Sequence, residues 1–262
     1  MTPDVVVDIG NTRMKWGWIP PRRDLHDIRM ISLAHDSPSE WTEQLAALGL
    51  TGSLKWAAAS VNPTKLSRFA DWVVGRGDSL VAIENDQVPI ELDPDYEFPQ
   101  RIGLDRLLNA AAAKRLAGGN TPCLVVDVGT AVTMDVVNEH GQFVGGAILP
   151  GPRLMFESLH RYTAKLPLID CGEVPRIDFH PARNTEGAIL VGVVAALTGA
   201  VREMIEDVRG RFFEFEPWLV LTGGGLGDFA QTPFGEWHDL EHVLVQPTLT
   251  LEGIRIAAEA LP

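Results

Sequence analysis

The stretch Val5 to Gly17, VVVDIGNTRMKWG, returns as Leu124 to Val136, LVVDVGTAVTMDV. Each copy has three aliphatic residues, an Asp, one more aliphatic and a Gly, then Asn-Thr in the first and Thr-Ala in the second. Asp8 falls on Asp127 and Gly10 on Gly129. An apolar run that ends in a glycine turn and resumes as a second strand-like run describes a hairpin. A hairpin written twice, with the same acid in the same place, predicts a duplicated α/β unit.

The other patterns fit two such units. Helical spacing covers Trp41 to Leu48 and Thr64 to Val74, with short strands at Lys55 to Val61 and Leu80 to Glu84. An Ala-rich helix from Asp105 to Ala117 is stopped by Gly118-Gly119. The second half continues with a strand near Gly141 to Leu149 and helices near Pro152 to Leu159 and Glu186 to Arg209. A strand Trp218 to Thr222 and a last helix near Thr248 to Leu261 complete it. The alternation predicts a mixed sheet flanked by helices in each half, residues 1–117 and 118–262, with a ligand cleft between them.

Length and charge narrow the function. A chain of 262 residues buries a core without staples, and 45% hydrophobic against 22% charged residues is ordinary for a globular protein. Its 22 Lys and Arg against 35 Asp and Glu leave a formal charge of −13, so a broad basic surface for nucleic acid or an acidic membrane is not expected. An anionic small molecule is compatible, because screening leaves local cations and metal ions to decide binding. Cys123 and Cys171 form no CxxC or Cys/His cluster, which points to a reduced, cytoplasmic protein without structural zinc. The N-terminus lacks the pattern of a signal peptide. The apolar run Gly187 to Val201 would reach about 22 Å as a helix, short of a bilayer core, and reads as a buried core helix.

Several segments carry potential chemistry. An Asp closing a buried strand, followed by a glycine turn, can hold a metal ion while backbone N–H groups approach a phosphate. A plain hairpin accounts for either copy alone; the repetition, and Lys15 after the first turn, favour a polyphosphate grip. Trp218 to Leu221 runs into Thr222-Gly223-Gly224-Gly225, then Leu226-Gly227-Asp228, which is either an adenosine shelf or an ordinary glycine-rich turn. It is not the dinucleotide fingerprint, and no GxxxxGK[ST] phosphate loop occurs. Asp105 at a helix start is a cap or, beside Arg106, a general base for an anionic substrate. Gly145 to Pro152 is a well-made turn or a ligand contact, and Asn184 or Thr185 an N-cap or a substrate contact. The His and Trp residues show no ligand spacing and read as packing residues.

DIGNTRMKWG (Asp8 to Gly17), GLDR (Gly103 to Arg106), DVGTAVTMD (Asp127 to Asp135), GGAILPG (Gly145 to Gly151), YTAKLP (Tyr162 to Pro167), NTEGAILVG (Asn184 to Gly192) and TGGG (Thr222 to Gly225) stand in order along nearly the whole chain. In this the chain resembles type III pantothenate kinase. The resemblance implies two ribonuclease-H-like halves of the acetate and sugar kinase, Hsp70 and actin type, around an interdomain nucleotide cleft. It also implies ATP-dependent phosphorylation of pantothenate at the entry to coenzyme A synthesis. A divalent metal such as Mg2+, a monovalent cation such as K+ or NH4+, and a homodimer with the pantothenate pocket at the subunit interface come with it.

By the same resemblance Asp105 is the proton acceptor. The first phosphate loop is Asp8, Ile9, Gly10, Asn11, Thr12, Arg13, Met14 and Lys15, and Thr130 meets the nucleotide phosphates. Asp127 sits at the monovalent-cation site. Tyr96, Gly103, Leu104, Asp105, Arg106 and Thr185 contact pantothenate, Thr185 reaching from the partner subunit. The loop Gln87 to Gln100 matches only at Tyr96 and Pro99. The competing readings are another small-molecule kinase of the same fold, a non-enzymatic accessory regulator and an actin-like filament protein. The acidic charge and the absence of an evident helix-turn-helix speak against direct DNA binding, and the intact Asp8, Asp105 and Asp127 against an inactive enzyme.

Overall fold

The valines and isoleucine of β1 (Val5–Ile9) prefer extended backbone and are wholly or almost wholly buried, apart from half-buried Asp8. β1 pairs antiparallel with β2 (Met14–Trp18), and β2 with β3 (Arg29–Leu33). On its other side β1 pairs parallel with β4 (Lys55–Ser60), and β4 with β5 (Ser79–Ala82). The order is β3-β2-β1-β4-β5. This sheet lies in the first of two compact units, Met1–Ala112 with Thr248–Pro262; the second is Ala113–Pro247. The computed structural model describes residues 1–10, 13–18, 28–33, 37–170, 181–212, 217–226 and 242–262.

The second unit repeats the plan. β7 (Cys123–Val128) pairs antiparallel with β8 (Ala131–Val137), and β8 with β9 (Gln142–Pro150). β7 also pairs parallel with β10 (Trp218–Thr222), and β10 with β11 (Val243–Val245). The order β9-β8-β7-β10-β11 copies the first sheet strand for strand, so the repeated sequence motif marks a repeated topology. In the chain, a two-residue strand, β6 (Glu91–Leu92), comes after β5 and before β7. β3, β6 and β11 were not legible in the sequence: they are short, and β3 and β11 expose most of their residues and so carry little apolar pattern.

One face of the first sheet packs on α1 (Pro38–Ala47) and α2 (Pro63–Gly75). Trp16, Trp41, Trp56 and Phe69 are fully buried there. Trp16 and Trp56 meet edge to face with centroids 5.1 Å apart, and Trp41 and Phe69 at 5.2 Å; such pairs add about 0.5–1.5 kcal/mol each beyond their burial. The helices start at Ser37-Pro38 and Asn62-Pro63, where Ser37 accepts from the Glu40 N–H and Asn62 from the Lys65 N–H. α1 therefore begins earlier than its apolar spacing indicates.

The opposite face is covered by α6 (Leu249–Ala260), which packs across β1 and β4. A sequence-ordered division puts this helix with residues 118–262, whereas it belongs to the first unit. α6 buries every residue from Leu249 to Ala258, so it is a core helix without a solvent face. Arg255 is held by Glu252 at 2.9 Å and Glu259 at 2.8 Å. The N-terminal amino group of Met1 donates to the carbonyls of Ala258 and Leu261, at 2.8 and 3.2 Å, satisfying the end of the helix. α6 also seats α3 (Leu104–Leu116): Thr250 Oγ1 donates to Asn109 Oδ1 at 2.8 Å in a buried bond, and Gly253 lies against the backbone of Leu108.

In the second unit α4 (Pro152–Arg161) and α5 (Thr185–Phe212) pack together. α5 has 28 residues, about 42 Å of helix. Ile189, Val193, Val194, Leu197, Val201 and Ile205 are buried, but Ala188, Gly192, Ala195, Ala196 and Gly199 are exposed. The expected buried core helix is therefore buried along one stripe only. Cys123 is buried at the start of β7, and burial pushes its thiol up to about 12, so it is inert. Cys171 lies outside the described residues.

Two outcomes follow for stability. Burial pushes the Asp78 carboxyl up, but the Leu54 N–H, the Trp56 indole and Arg76 outweigh it and hold the group below its ordinary value. A depressed carboxyl stabilises the fold above the unfolded pKa of about 4 and loses that contribution as pH falls through the folded value. The melting temperature of Asp78→Asn should thus trail the wild type at pH 7 by more than at pH 3; an equal gap at both would refute the linkage. Gly253→Ala drives a methyl into Leu108 and should lower the urea-derived stability by about 1–3 kcal/mol.

Candidate active site

In the first unit the chain leaves β1 at Ile9, and Gly10 N–H donates to the carbonyl of Arg13 at 3.0 Å, closing the turn into β2. Asn11 and Thr12 lie outside the described residues. Asp8 stands directly opposite Lys15 in the ladder, so a carboxylate and an ammonium leave the sheet on one face beside the turn. Both are half-buried, whereas their neighbours Val7, Ile9, Met14 and Trp16 are buried on the other face. Arg13 is exposed at the turn. The end of β4 braces the corner: Ser60 Oγ donates to the Ile9 carbonyl at 3.2 Å and accepts from the Asn62 N–H at 2.9 Å.

Asp105 enters from α3. Its Oδ1 accepts from the Arg106 N–H at 2.9 Å, so the capping interaction exists. The carboxylate folds over Gly103, and a side chain at 103 would collide with it. Gly103 is thus needed for the close approach of Asp105. Asp105 is half-buried and Arg106 buried, a guanidinium fixed one residue beyond the acid, and Leu104 is buried ahead of both. Asn85 Nδ2 donates to the Ile102 carbonyl at 2.7 Å and anchors the approach to α3. Tyr96 is half-buried on a turn where its N–H reaches the Asp93 carbonyl at 3.0 Å. Asp8, Arg13, Lys15, Tyr96 and Gly103 to Arg106 all belong to the first unit. The α6 seat ties α3 to the same strands that carry Asp8.

The second unit builds a glycine-dense corner. Gly129 N–H donates to the Ala131 carbonyl at 2.9 Å, and Asp127 lies next to Thr133 and, on the parallel side, Thr222. Gly223, at φ +107°, packs on Val128 and on Asp127 Oδ1, where a Cβ would overlap both; Gly225 N–H donates to the Val128 carbonyl at 2.8 Å. Gly151 N–H donates to the Thr130 carbonyl at 3.0 Å, and a Cβ there would overlap the carbonyls of Gly129 and Thr130. TGGG and the end of GGAILPG, left open on sequence, are thus both brought to Asp127 and Thr130. Parallel pairing of β7 with β10 brings TGGG there and the antiparallel β8–β9 ladder brings Gly151, and no linear pattern states the convergence. Asp127 is half-buried and Thr130 exposed.

Thr185 and Asn184 separate. Asn184 Oδ1 accepts from the Gly187 N–H at 2.7 Å and is the cap of α5, whereas Thr185 is exposed. Thr185 lines a groove of about 500 Å³ between α4 and α5 with Met155, Leu159, Leu166, Gly192 and Ala196. Gly227 and Asp228 lie outside the described residues. Among the described residues no three His, Cys, Asp or Glu side chains cluster as a metal cage.

The family model for type III pantothenate kinase matches residues 5–207. The chain is 33% identical to a type III pantothenate kinase of Methylacidiphilum infernorum over 98% of this chain and 88% of that one. It is also 33% identical to that of Akkermansia muciniphila over 97% of both. Among solved structures it is similar to a conserved putative Baf family transcriptional activator from Campylobacter jejuni, with TM-score 0.56, 16% identity and 97% of each chain covered. It is similar as well to MreB 5 of Spiroplasma citri bound to AMPPNP, with TM-score 0.51, 10% identity and 99% and 96% covered. A putative 2-dehydro-3-deoxygalactonokinase from Sinorhizobium meliloti gives 0.54, 14% identity and 98% of both. At those identities the solved structures establish the fold alone, that of the actin, Hsp70 and sugar kinase type. Sequence identity over almost its full length places this chain in the type III pantothenate kinase family.

Proposed function

We propose that this chain transfers the γ-phosphoryl group of ATP to the primary alcohol of pantothenate, the first step of coenzyme A synthesis, using the two Asp-glycine corners and Asp105. The observation that carries the reading is family identity along the whole chain, together with glycine corners at equivalent places of two copies of one sheet. The two compact units, Met1–Ala112 with Thr248–Pro262 and Ala113–Pro247, then serve as the two halves, with Asp8 to Lys15 on the γ-phosphate side and TGGG on the adenosine side.

Phosphoryl transfer has a loose transition state with charge on the phosphoryl oxygens, so positioning and neutralisation matter more than covalent chemistry. Lys15 and Arg13 supply positive charge at the triphosphate. Thr130 and the backbone around Gly129 and Gly151 meet the phosphates from the second unit. Arg106 pairs with the substrate carboxylate, Tyr96 and Gly103 to Leu104 shape its pocket, and Thr185 completes it. Asp105 accepts the alcohol proton late, once bonding to phosphorus has acidified the hydroxyl, which an ordinary carboxylate can do.

The donor sets fit the cations of this chemistry. Asp8 offers a single hard carboxylate, as Mg2+ prefers when substrate phosphates and water fill its other positions. Asp127, with carbonyl oxygens nearby, suits a monovalent ion such as K+ or NH4+. When bound, these ions neutralise phosphate charge.

A homodimer is the second element of the reading. The exposed stripe Ala188, Gly192, Ala195, Ala196 and Gly199 on α5 continues into the groove beside Thr185, and exposed Ile148, Tyr162 and Leu168 add apolar area in the same unit. Such a face calls for a partner. α5 is also long and apolar enough to cross a membrane, but its opposite stripe already packs in the second unit's core, so lipid cannot surround it.

Asp105→Asn should lower kcat by roughly 10²- to 10⁴-fold with little loss of ATP affinity; near-normal turnover removes Asp105 from this role. Gly192→Glu should convert a dimer to a monomer in light scattering and raise the KM for pantothenate, with the helical circular dichroism retained. A dimer that survives this change overturns the α5 interface.

A further inference from the structure

The chain leaves β5 at Ala82, and the Ile83 N–H donates to the Ala58 carbonyl at 2.8 Å, so the segment that follows is still tied to β4. A single 3-10 turn, Asn85–Gln87, comes next. Gln87 closes that turn: its N–H donates to the Glu84 carbonyl at 3.0 Å, and its Oε1 accepts from the Glu84 N–H at 2.9 Å. An Asn at a turn usually spends its side chain on a nearby backbone group. Asn85 instead sends its Nδ2 to the Ile102 carbonyl, 17 positions along the chain, at 2.7 Å. Ile102 stands in extended backbone between the 3-10 turn Pro99–Arg101 and α3, where no helix or sheet ladder sets the direction of its carbonyl.

We propose that Asn85 is a positioning residue for phosphoryl transfer, acting through Asp105. This rests on the assignment of Asp105 as the proton acceptor. A peptide unit is planar, so holding the Ile102 carbonyl fixes the plane that enters Gly103. Gly103 is the residue over which the Asp105 carboxylate folds, with Oδ1 too close for a Cβ to fit, and its carbonyl accepts from the Arg106 N–H at 3.1 Å. A rotation of that peptide therefore shifts the floor beneath the carboxylate. α6 holds the middle of α3 through Asn109 and Leu108, which leaves the first turn to be set from its own side. Asn85 supplies that hold from the end of β5, in the sheet that carries Asp8. Ile83 and Val88 on either side of Asn85, and Ile102 itself, are buried, so both ends of the bond are fixed to the core.

Steady-state kinetics with ATP and pantothenate varied in turn, on wild type, Asn85→Asp, Asp105→Asn and the double variant, tests this. Asn85→Asp removes the donor while keeping the shape of the side chain. It should lower kcat by about 10- to 100-fold and leave the KM for ATP within about twofold. Once Asp105 is replaced, the same change should cost less than about twofold, because the group being positioned is gone. A residue that only stiffens the fold would slow both backgrounds by the same factor. Asn85→Ala replaces Asn85→Asp if the latter fails to fold in a melting assay. Near-normal kcat in the Asn85 variant, or an equal loss in both backgrounds, overturns the proposal. If Asp105→Asn turns over slowly while the Asn85 variant does not, Asn85 alone is wrong. If Asp105→Asn keeps wild-type turnover, the assignment of Asp105 is wrong.

Discussion

The close approach of one backbone to another at the end of a central strand is the constraint on which this molecule is built. Each sheet places its acid-bearing strand between an antiparallel and a parallel neighbour, so the strand end is flanked by turns from distant sequence. Only residues without a Cβ fit there: Gly223 and Gly151 lie on the backbone that follows Asp127. The absence of side-chain bulk lets these turns close on one another, and the exposed residue Thr130 stands at the second of them. In the first unit the corner is closed by the bond from Gly10 to Arg13 and braced by the Ser60 hydroxyl on the Ile9 carbonyl.

Order in the first unit is transmitted to Asp105 by a helix from the far end of the chain. α6 covers β1 and β4 on the face that carries Asp8, and α3 is pinned to it by the Thr250–Asn109 bond and the Gly253 contact. A buried hydrogen bond of this kind is worth about 1 kcal/mol net, but breaking it strands a polar group, which costs more. The opposite face of the sheet is filled by tryptophans and phenylalanine in edge-to-face contact, leaving little freedom for the strands to shift. Asp105 is therefore set on a rigid base while its own side chain stays half open.

The second unit divides its long helix between two duties. One stripe of α5 packs with the core residues of the sheet, and the opposite stripe, built of alanine and glycine, is left uncovered. Small residues let another backbone come close, and the capped start of the helix presents Thr185 at the mouth of the groove. A helix that looks uniformly apolar in sequence thus has a packed side and an open side, which composition alone does not distinguish.

The sequence by itself determined the duplication, the strands that end in Asp8 and Asp127, the glycine turns after them, the main helices and the family. These features are local: periodicity, β-branched runs and glycine positions act through neighbours a few residues apart. It also supplied Asp105 and Arg106 as an acid and a cation on one helix start. Tertiary structure alone decided that α6 belongs with the first unit, that TGGG and Gly151 meet at Asp127, that α5 keeps an open stripe, and that Asn85 holds the Ile102 carbonyl. Each of these depends on parallel strand pairing or helix docking between segments far apart in the chain. Such contacts are fixed by packing and shape, and a linear pattern of residue types does not record them.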